Sequence, residues 1–282
     1  MIEWWQHIPE RLDPIIFTIG SFSVYWYALW FLAGFLAVFF VALRLARRGD
    51  APCSEECVSD MFPLLFLSAL IGGRVGYVLF YYPDLLWLAP LRIFLPYDFG
   101  SGIWVGISGM SYHGGLIGVA LALLWFSVRE KISFLAAADF VAFLAPVATF
   151  FGRLGNFFNV ELPGRITAQP WGMVFPDTLP QGVLHHPSTL YEAFLEGVLL
   201  FVFLIVFRKK MPFSGALTCL YLALYAILRF FGEFFRSPDP QLGFFFGVLT
   251  LGQFFSLLML TLSIGIYVWL WKKNRAMIKE SV

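Results

Sequence analysis

Residues 152–165 read Gly-Arg-Leu-Gly-Asn-Phe-Phe-Asn-Val-Glu-Leu-Pro-Gly-Arg and follow directly on an apolar run. A guanidinium is a planar fork that grips phosphate oxygens in pairs, and it stays charged where an ammonium could lose its proton, so Arg153 can clamp a phosphate. Asn156 and Asn159 supply amide donors, and Glu161 can orient an arginine or accept a proton. The glycines let the backbone approach a ligand closely. A purely structural loop has little use for this set of polar groups beside an apolar helix.

Three further stretches concentrate ionisable groups. In Gly109-Met110-Ser111-Tyr112-His113-Gly114-Gly115, His113 stands at the start of an apolar run. Helix N-termini attract anions, and histidine is the side chain most readily poised to move a proton near neutral pH. In residues 228–236, Arg229, Glu233 and Arg236 are four and seven apart and share one helical face. That pattern serves an internal ion pair, or a carboxylate that holds Arg229 against a lipid phosphate. In residues 185–196, His185 and His186 precede Pro187 and Ser188, with Glu192 and Glu196 following on one face. No metalloprotease-type spacing is present, and the proline sets up a helix start. We read this stretch as architectural, with Ser188 as a helix cap and Glu192 as a partner for an arginine. Asp139 is expected to pair or cap, and Arg74 to anchor the second apolar run. Tyr25 and Tyr27 suit a membrane boundary.

These residues sit in a chain that is not built for water. Of its 282 residues, 60% are hydrophobic and 13% charged, against about 45–50% and about 25% in a soluble domain. Ionisable groups inside such segments are costly and mark function by default. A spanning helix needs about 20 apolar residues, and seven segments qualify: roughly 22–43, 61–82, 113–128, 134–152, 189–207, 214–235 and 247–271. The expected fold is an all-α integral membrane protein of about seven transmembrane helices, with residues 1–282 as a single polytopic domain. Arg44, Arg47 and Arg48 follow the first segment, Arg129 and Lys131 the third, and Arg208, Lys209 and Lys210 the fifth. Lys272, Lys273, Arg275 and Lys279 follow the seventh. By the excess of basic residues on the cytoplasmic side, the N-terminus lies outside and the C-terminus in the cytoplasm.

The remaining basic residues, Arg11, Arg74, Arg92, Arg153, Arg165, Arg229 and Arg236, are all arginine. An anionic phosphate ligand near the outer leaflet accounts for that bias better than chance does. The connections 83–112 and 153–188 are rich in Gly, Pro and aromatics and are expected to fold as a small outward-facing cap. No cleavable signal peptide is evident in the first fourteen residues, which form an amphipathic lead-in with Trp4 and Trp5 at the boundary. Cys53, Cys57 and Cys219 make no zinc set, and Cys219 reads as a small buried hydrophobe. A net charge of +1 gives no sign of nucleic-acid binding.

Residues 152–164 match Gly-Arg-x-Gly-Asn-Phe-x-Asn-x-Glu-x-x-Gly position for position, and this resembles the signature of the prolipoprotein diacylglyceryl transferases. The resemblance extends to residues 13–17, Trp26-Tyr27, residues 72–77, 109–115 and 186–192, and Glu233-Phe234-Phe235-Arg236. It implies transfer of the diacylglyceryl group of phosphatidylglycerol to the lipobox cysteine thiol of a prolipoprotein. Glycerol phosphate leaves and a thioether remains. It also implies a bacterial inner-membrane location, with the site toward the periplasmic leaflet. Positions matching Tyr27, His113, Arg153, Asn156, Glu161, Gly164 and Arg229 are implied to matter for activity.

The residues themselves fit that reaction. A thiol with pKa near 8.5 is mostly protonated at neutral pH, so attack benefits from a base or a positive field. Charge accumulates on the departing phosphate, where preorganised arginines stabilise it. We expect Arg153 and Arg229 to hold the phosphate, Asn156 and Glu161 to position them, and Gly164, Glu233 and Arg236 to complete the binding surface. His113 is the candidate for the thiol proton, with Tyr27 or the arginine field as alternatives. No metal or organic cofactor is implied. A lipid or small-anion transporter would give flux without a covalent product. A head-group phosphatase or phosphotransferase would call for clustered aspartates with metal, or for a nucleophilic histidine with partners.

Overall fold

The computed structural model describes residues 2–280 apart from 21, 96, 99–101, 105–108, 177, 238–243 and 246–248. Among the described residues, six helices are long and apolar enough to cross a membrane: α1 (Trp26–Arg47), α2 (Glu55–Tyr81), α3 (Tyr112–Arg129), α4 (Phe134–Phe158), α5 (Ser188–Lys210) and α7, which runs over Leu251–Glu280. A seventh, α6 (Ala216–Gly232), is apolar but shorter. Its 17 residues reach about 25 Å against a hydrocarbon core of about 30 Å. The chain is an integral membrane protein.

Helix starts follow local chemistry more closely than hydropathy. The apolar run expected from residue 22 opens instead as a strand, Phe22–Tyr25, paired with Ile15–Ile19, and turns helical at Trp26. Helix α2 begins at Glu55, before the apolar window. The hydroxyl of Ser54 accepts from Cys57 N at 3.2 Å, and Glu55 and Glu56 fill the positive first turn. Cys53 and Cys57 are joined by a disulfide across this turn.

The chain forms two compact units. One comprises Ile15–Val24 and Phe39–Ala137 and is dominated by the crossing of α2 and α3. The crossing depends on missing side chains. A Cβ on Gly72 would lie 2.5 Å from Gly114 O, and one on Gly76 would lie 2.7 Å from Gly114 Cα. Small residues let two backbones touch, which is how helices associate where lipid removes the hydrophobic drive. Buried Arg74 donates to the carbonyls of Ile93, Arg92 and Gly109, pinning the connection after α2. Its guanidinium ties down backbone, in keeping with an anchor. The parts of the 83–112 connection expected in an outward cap that fall at 96, 99–101 and 105–108 lie outside the described residues.

The other unit comprises Met1–Pro14, Tyr25–Val38 and Ala138–Val282. Asp139 of α4 accepts from Gly215 N, Thr218 N and the Thr218 hydroxyl, each at 2.7 Å, and so caps α6. Ser263 of α7 donates to Cys219 O at 2.6 Å, joining α6 to α7 beside the buried thiol. Beyond the C-terminal end of α4 the chain builds a small pleated layer. Met173–Val174 pairs with Leu184–His185, and single bridges join Ile166 to His185 and Gly164 to Arg236. Phe157, Met173 and Phe175 form its core, with Ile8 and Leu12 packed on them. Trp5 Nε1 and Gln6 Nε2 donate to the carbonyls of Trp171 and Pro170, both at 2.9 Å, so the N-terminal lead-in is part of this layer.

Candidate functional site

Helices α4, α5 and α6 bring together a cluster of six ions. Arg153 of α4 places Nη1 3.0 Å from Glu192 Oε2 and Nη2 3.2 Å from Glu196 Oε2. Arg229 of α6 pairs with Glu192 and Glu233, and its Nη1 lies 3.4 Å from Glu196 Oε1. Arg236 lies 3.6 Å from Glu192 and 3.8 Å from Glu233. Each carboxylate therefore serves at least two guanidiniums, which would otherwise repel one another. The segment Ala193–Leu199 winds as a π-helix, the wider turn that recurs at functional sites. Glu192 and Glu196 flank and enter it.

Burial sorts the two signs of charge. The glutamate side chains are 1–5% exposed, whereas the three arginines are 15–18% exposed. The cluster thus shows solvent or lipid its guanidinium side and keeps its carboxylates behind. Formally balanced, it still presents a positive surface, suited to an anion such as a phosphate diester. Buried carboxylates are tolerable here because every one is paired.

A second knot joins the last turn of α4 to the loop after it. The amides of Asn156 and Asn159 donate to the two oxygens of Glu161, at 2.9 and 3.1 Å. Asn159 Oδ1 accepts from the backbone N–H of Tyr27 at 3.0 Å, fastening the start of α1. Asn156 and Glu161, expected to position Arg153 and Arg229, hold each other. Val160 and Leu162, on either side of Glu161, have φ of 57° and 56°. Such left-handed geometry costs a non-glycine residue about 1–3 kcal/mol and persists only where the surroundings enforce it. Gly155 makes room for Tyr27: a Cβ there would lie 3.0 Å from Tyr27 Cδ2.

Gly164 is a crossing point of backbones. Its N–H donates to His186 O at 2.9 Å, and a Cβ would run into the carbonyls of His186 and Phe235. Because Gly164 bridges Arg236, this close approach seats the arginine. Arg165 reinforces it by donating to Arg236 O at 2.9 Å and Glu233 O at 3.5 Å, so its guanidinium also ties down backbone. Ser188, expected to cap α5, instead donates to Leu162 O at 2.7 Å and clips the signature loop to the helix start. His186 Nδ1 lies 3.1 Å from the Tyr191 hydroxyl, which accepts from Trp171 Nε1 at 2.8 Å. Burial holds His186 below its ordinary pKa.

His113 belongs to the other unit, in the first turn of α3, exposed and edge-on to Tyr112. Ser111 caps that turn by accepting from Gly114 N at 3.2 Å. Three contributors are not legible as partners in the sequence. Glu196 was placed on the face of Glu192 without a partner. Thr250 and Gln253, described below, carried a signal in their Thr-x-x-Gln spacing before an apolar run.

A family model described as prolipoprotein diacylglyceryl transferase matches residues 14–269. The chain is 44% identical over 275 residues to a phosphatidylglycerol–prolipoprotein diacylglyceryl transferase of Chlorobaculum tepidum, covering 97% of this chain and 94% of that protein. Similar relatives of the same name come from Vibrio campbellii, 44% identical with 94% and 93% covered, and Vibrio vulnificus, 43% identical with 96% of each chain covered. With a family model over most of the chain and relatives 43–44% identical over nearly its full length, the chain belongs to the prolipoprotein diacylglyceryl transferase family.

Proposed function

We infer that this chain transfers the diacylglyceryl group of phosphatidylglycerol to the thiol of a prolipoprotein lipobox cysteine. Sulfur forms a bond to the glycerol carbon, the carbon–oxygen bond to phosphate breaks, the thiol proton passes to a base, and glycerol phosphate leaves. The observation that carries this reading is the sorting of charge in the six-ion cluster, with guanidiniums toward the accessible side and carboxylates behind them. Arg153 and Arg229, with Arg236, grip the phosphate and stabilise the charge it gains as a leaving group. Preorganised donors act most strongly where charge develops and water is scarce. Glu192, Glu196 and Glu233 aim them. Asn156 and Glu161, locked together, and Gly164, which seats Arg236, complete the binding surface.

The thiol proton goes to His113, in the first turn of α3. Tyr27 and the arginine field are the alternatives that single variants distinguish. The chain works as one polytopic domain of the bacterial inner membrane, N-terminus outside, with the site toward the periplasmic leaflet. The basic residues after α1, α3, α5 and α7 support that orientation. No nucleic acid takes part. Incubating the purified protein with phosphatidylglycerol and a lipobox peptide tests the reading. The peptide should gain the mass of a diacylglyceryl unit, and a Cys-to-Ser peptide should not. Lipid flux without a modified peptide would overturn it.

A further inference from the structure

The N-terminus of α7 is built around one oxygen of Glu233. Thr250 Oγ1 lies 2.8 Å from Glu233 Oε2, while the other carboxylate oxygen faces Arg229 and Arg236. The same hydroxyl accepts from Gln253 N at 3.1 Å, and Gln253 Oε1 accepts from Thr250 N at 3.0 Å. This is a reciprocal cap of the Thr-x-x-Gln kind, and it uses the acceptor side of the hydroxyl. A hydroxyl has one proton and a carboxylate only accepts, so the proton points at Glu233. Thr250, Gln253 and Glu233 are 2–4% exposed, so no water replaces this bond cheaply. The backbone is shaped to the same end: a Cβ on Gly252 would lie 2.6 Å from Glu233 Cδ and Oε1.

We propose that Thr250 is a positioning residue for the transferase reaction, its hydroxyl holding Glu233 so that Glu233 can aim Arg229 and Arg236 at the phosphate. This rests on the phosphate-gripping role given to those arginines above. A helix cap alone would need only the acceptor side of the hydroxyl and Gln253. The donated proton and the side-chain-free approach at Gly252 serve the carboxylate. Without them, Glu233 is free to swing, and Arg229 loses the contact that sets its angle. Small displacements in a preorganised site cost up to about a hundredfold in rate.

The test measures kcat, KM for phosphatidylglycerol and the melting temperature in detergent for Thr250→Val, Thr250→Ser, Glu233→Gln and the Thr250→Val/Glu233→Gln double variant. Thr250→Val should lower kcat about ten- to a hundredfold, with a smaller change in KM. Thr250→Ser should restore most of it. The double variant should be no slower than Glu233→Gln alone, because Thr250 acts through Glu233. Multiplicative losses, or a wild-type kcat for Thr250→Val while Arg229→Ala is inactive, would overturn the positioning role and leave the arginine reading intact. A normal rate for Arg229→Ala would overturn both. Should Thr250→Val fail to fold, Gly252→Ala decides. It keeps the hydroxyl but displaces the carboxylate, and a wild-type kcat there would overturn the proposal.

Discussion

Glu192 and Arg153 meet across two helices: Oε2 of the glutamate lies 3.0 Å from Nη1 of the arginine, and its other oxygen is shared by Arg229 and Arg236. One carboxylate from α5 thereby holds together guanidiniums from α4, α6 and the turn after α6. Replacing it by an amide leaves three cations facing one another with two carboxylates among them. Breaking a buried pair by removing one partner typically costs about 3–5 kcal/mol. Glu192→Gln is therefore expected to lower unfolding stability by about that much, as well as activity. Chemical denaturation in detergent checks it, and an unchanged midpoint would remove Glu192 from its central place.

Arg153→Ala and Arg229→Ala are each expected to lower thioether formation by about two to three decades, the usual cost of losing one preorganised donor to a developing negative charge. Arg229→Lys should recover little, because an ammonium cannot divide itself among three carboxylates and a phosphate as a planar fork does. Single-turnover mass spectrometry of the peptide measures this. Wild-type rates in folded Arg153→Ala and Arg229→Ala would refute the phosphate clamp.

If His113 takes the thiol proton, His113→Asn should lose about two to four decades in rate, the range of general-base contributions, while binding phosphatidylglycerol normally. Equal rates with equal lipid binding would move the role to Tyr27 or to the arginine field.

The α2–α3 crossing allows a sharper contrast. Gly72→Val puts a branched side chain where a Cβ alone would stand 2.5 Å from Gly114 O and 3.0 Å from Gly118 Cα. It should lower the melting temperature steeply or prevent folding, since backbone cannot yield as a side-chain tip can. Gly265→Ala in α7 meets nothing within 4 Å and should be neutral to slightly stabilising. Similar behaviour of the two would mean that the close crossing does not hold this unit together.

What could be read from sequence follows a physical division. The arginine bias appears in composition and helical spacing pairs Arg229 with Glu233, but the single helical face expected for Arg229, Glu233 and Arg236 is cut short: α6 ends at Gly232, and Arg236 joins the cluster from the chain beyond it, bridged to Gly164. Partners set by packing were not legible. Glu196 lies 43 positions from Arg153 and 33 from Arg229, and only the approach of α4, α5 and α6 joins them. The capping signal of Thr250 and Gln253 is written in the chain, but its reach to Glu233 depends on where α7 begins relative to α6. Ser188 looked like a cap because its type and position fit one. The nearby Leu162 carbonyl, on a loop with left-handed residues on either side of Glu161, took its hydroxyl instead. Hydropathy located apolar runs yet missed the start of α2, because Ser54, Glu55 and Glu56 begin a helix by capping and charge.

His186 gives a pH-dependent expectation with a definite sign. Burial holds its imidazole below the ordinary value of about 6.5, and its Nδ1 lies 3.1 Å from the Tyr191 hydroxyl. In the unfolded chain the ring takes up a proton as pH falls through about 6.5, whereas the folded ring resists until the pH is lower. Between those two values the unfolded state binds more protons, so the stability from neutral His186 is present above about 6.5 and lost as the pH drops toward the depressed value. His186→Phe keeps the ring contacts with Tyr191 and Phe235, at 5.7 and 5.2 Å between centroids, but cannot titrate. Melting temperatures measured from pH 7.5 down to pH 5 should therefore fall more steeply for the wild type than for His186→Phe, even though the variant starts lower for want of the hydrogen bond. Parallel curves would mean that the imidazole is protonated as easily in the folded protein as in the unfolded chain.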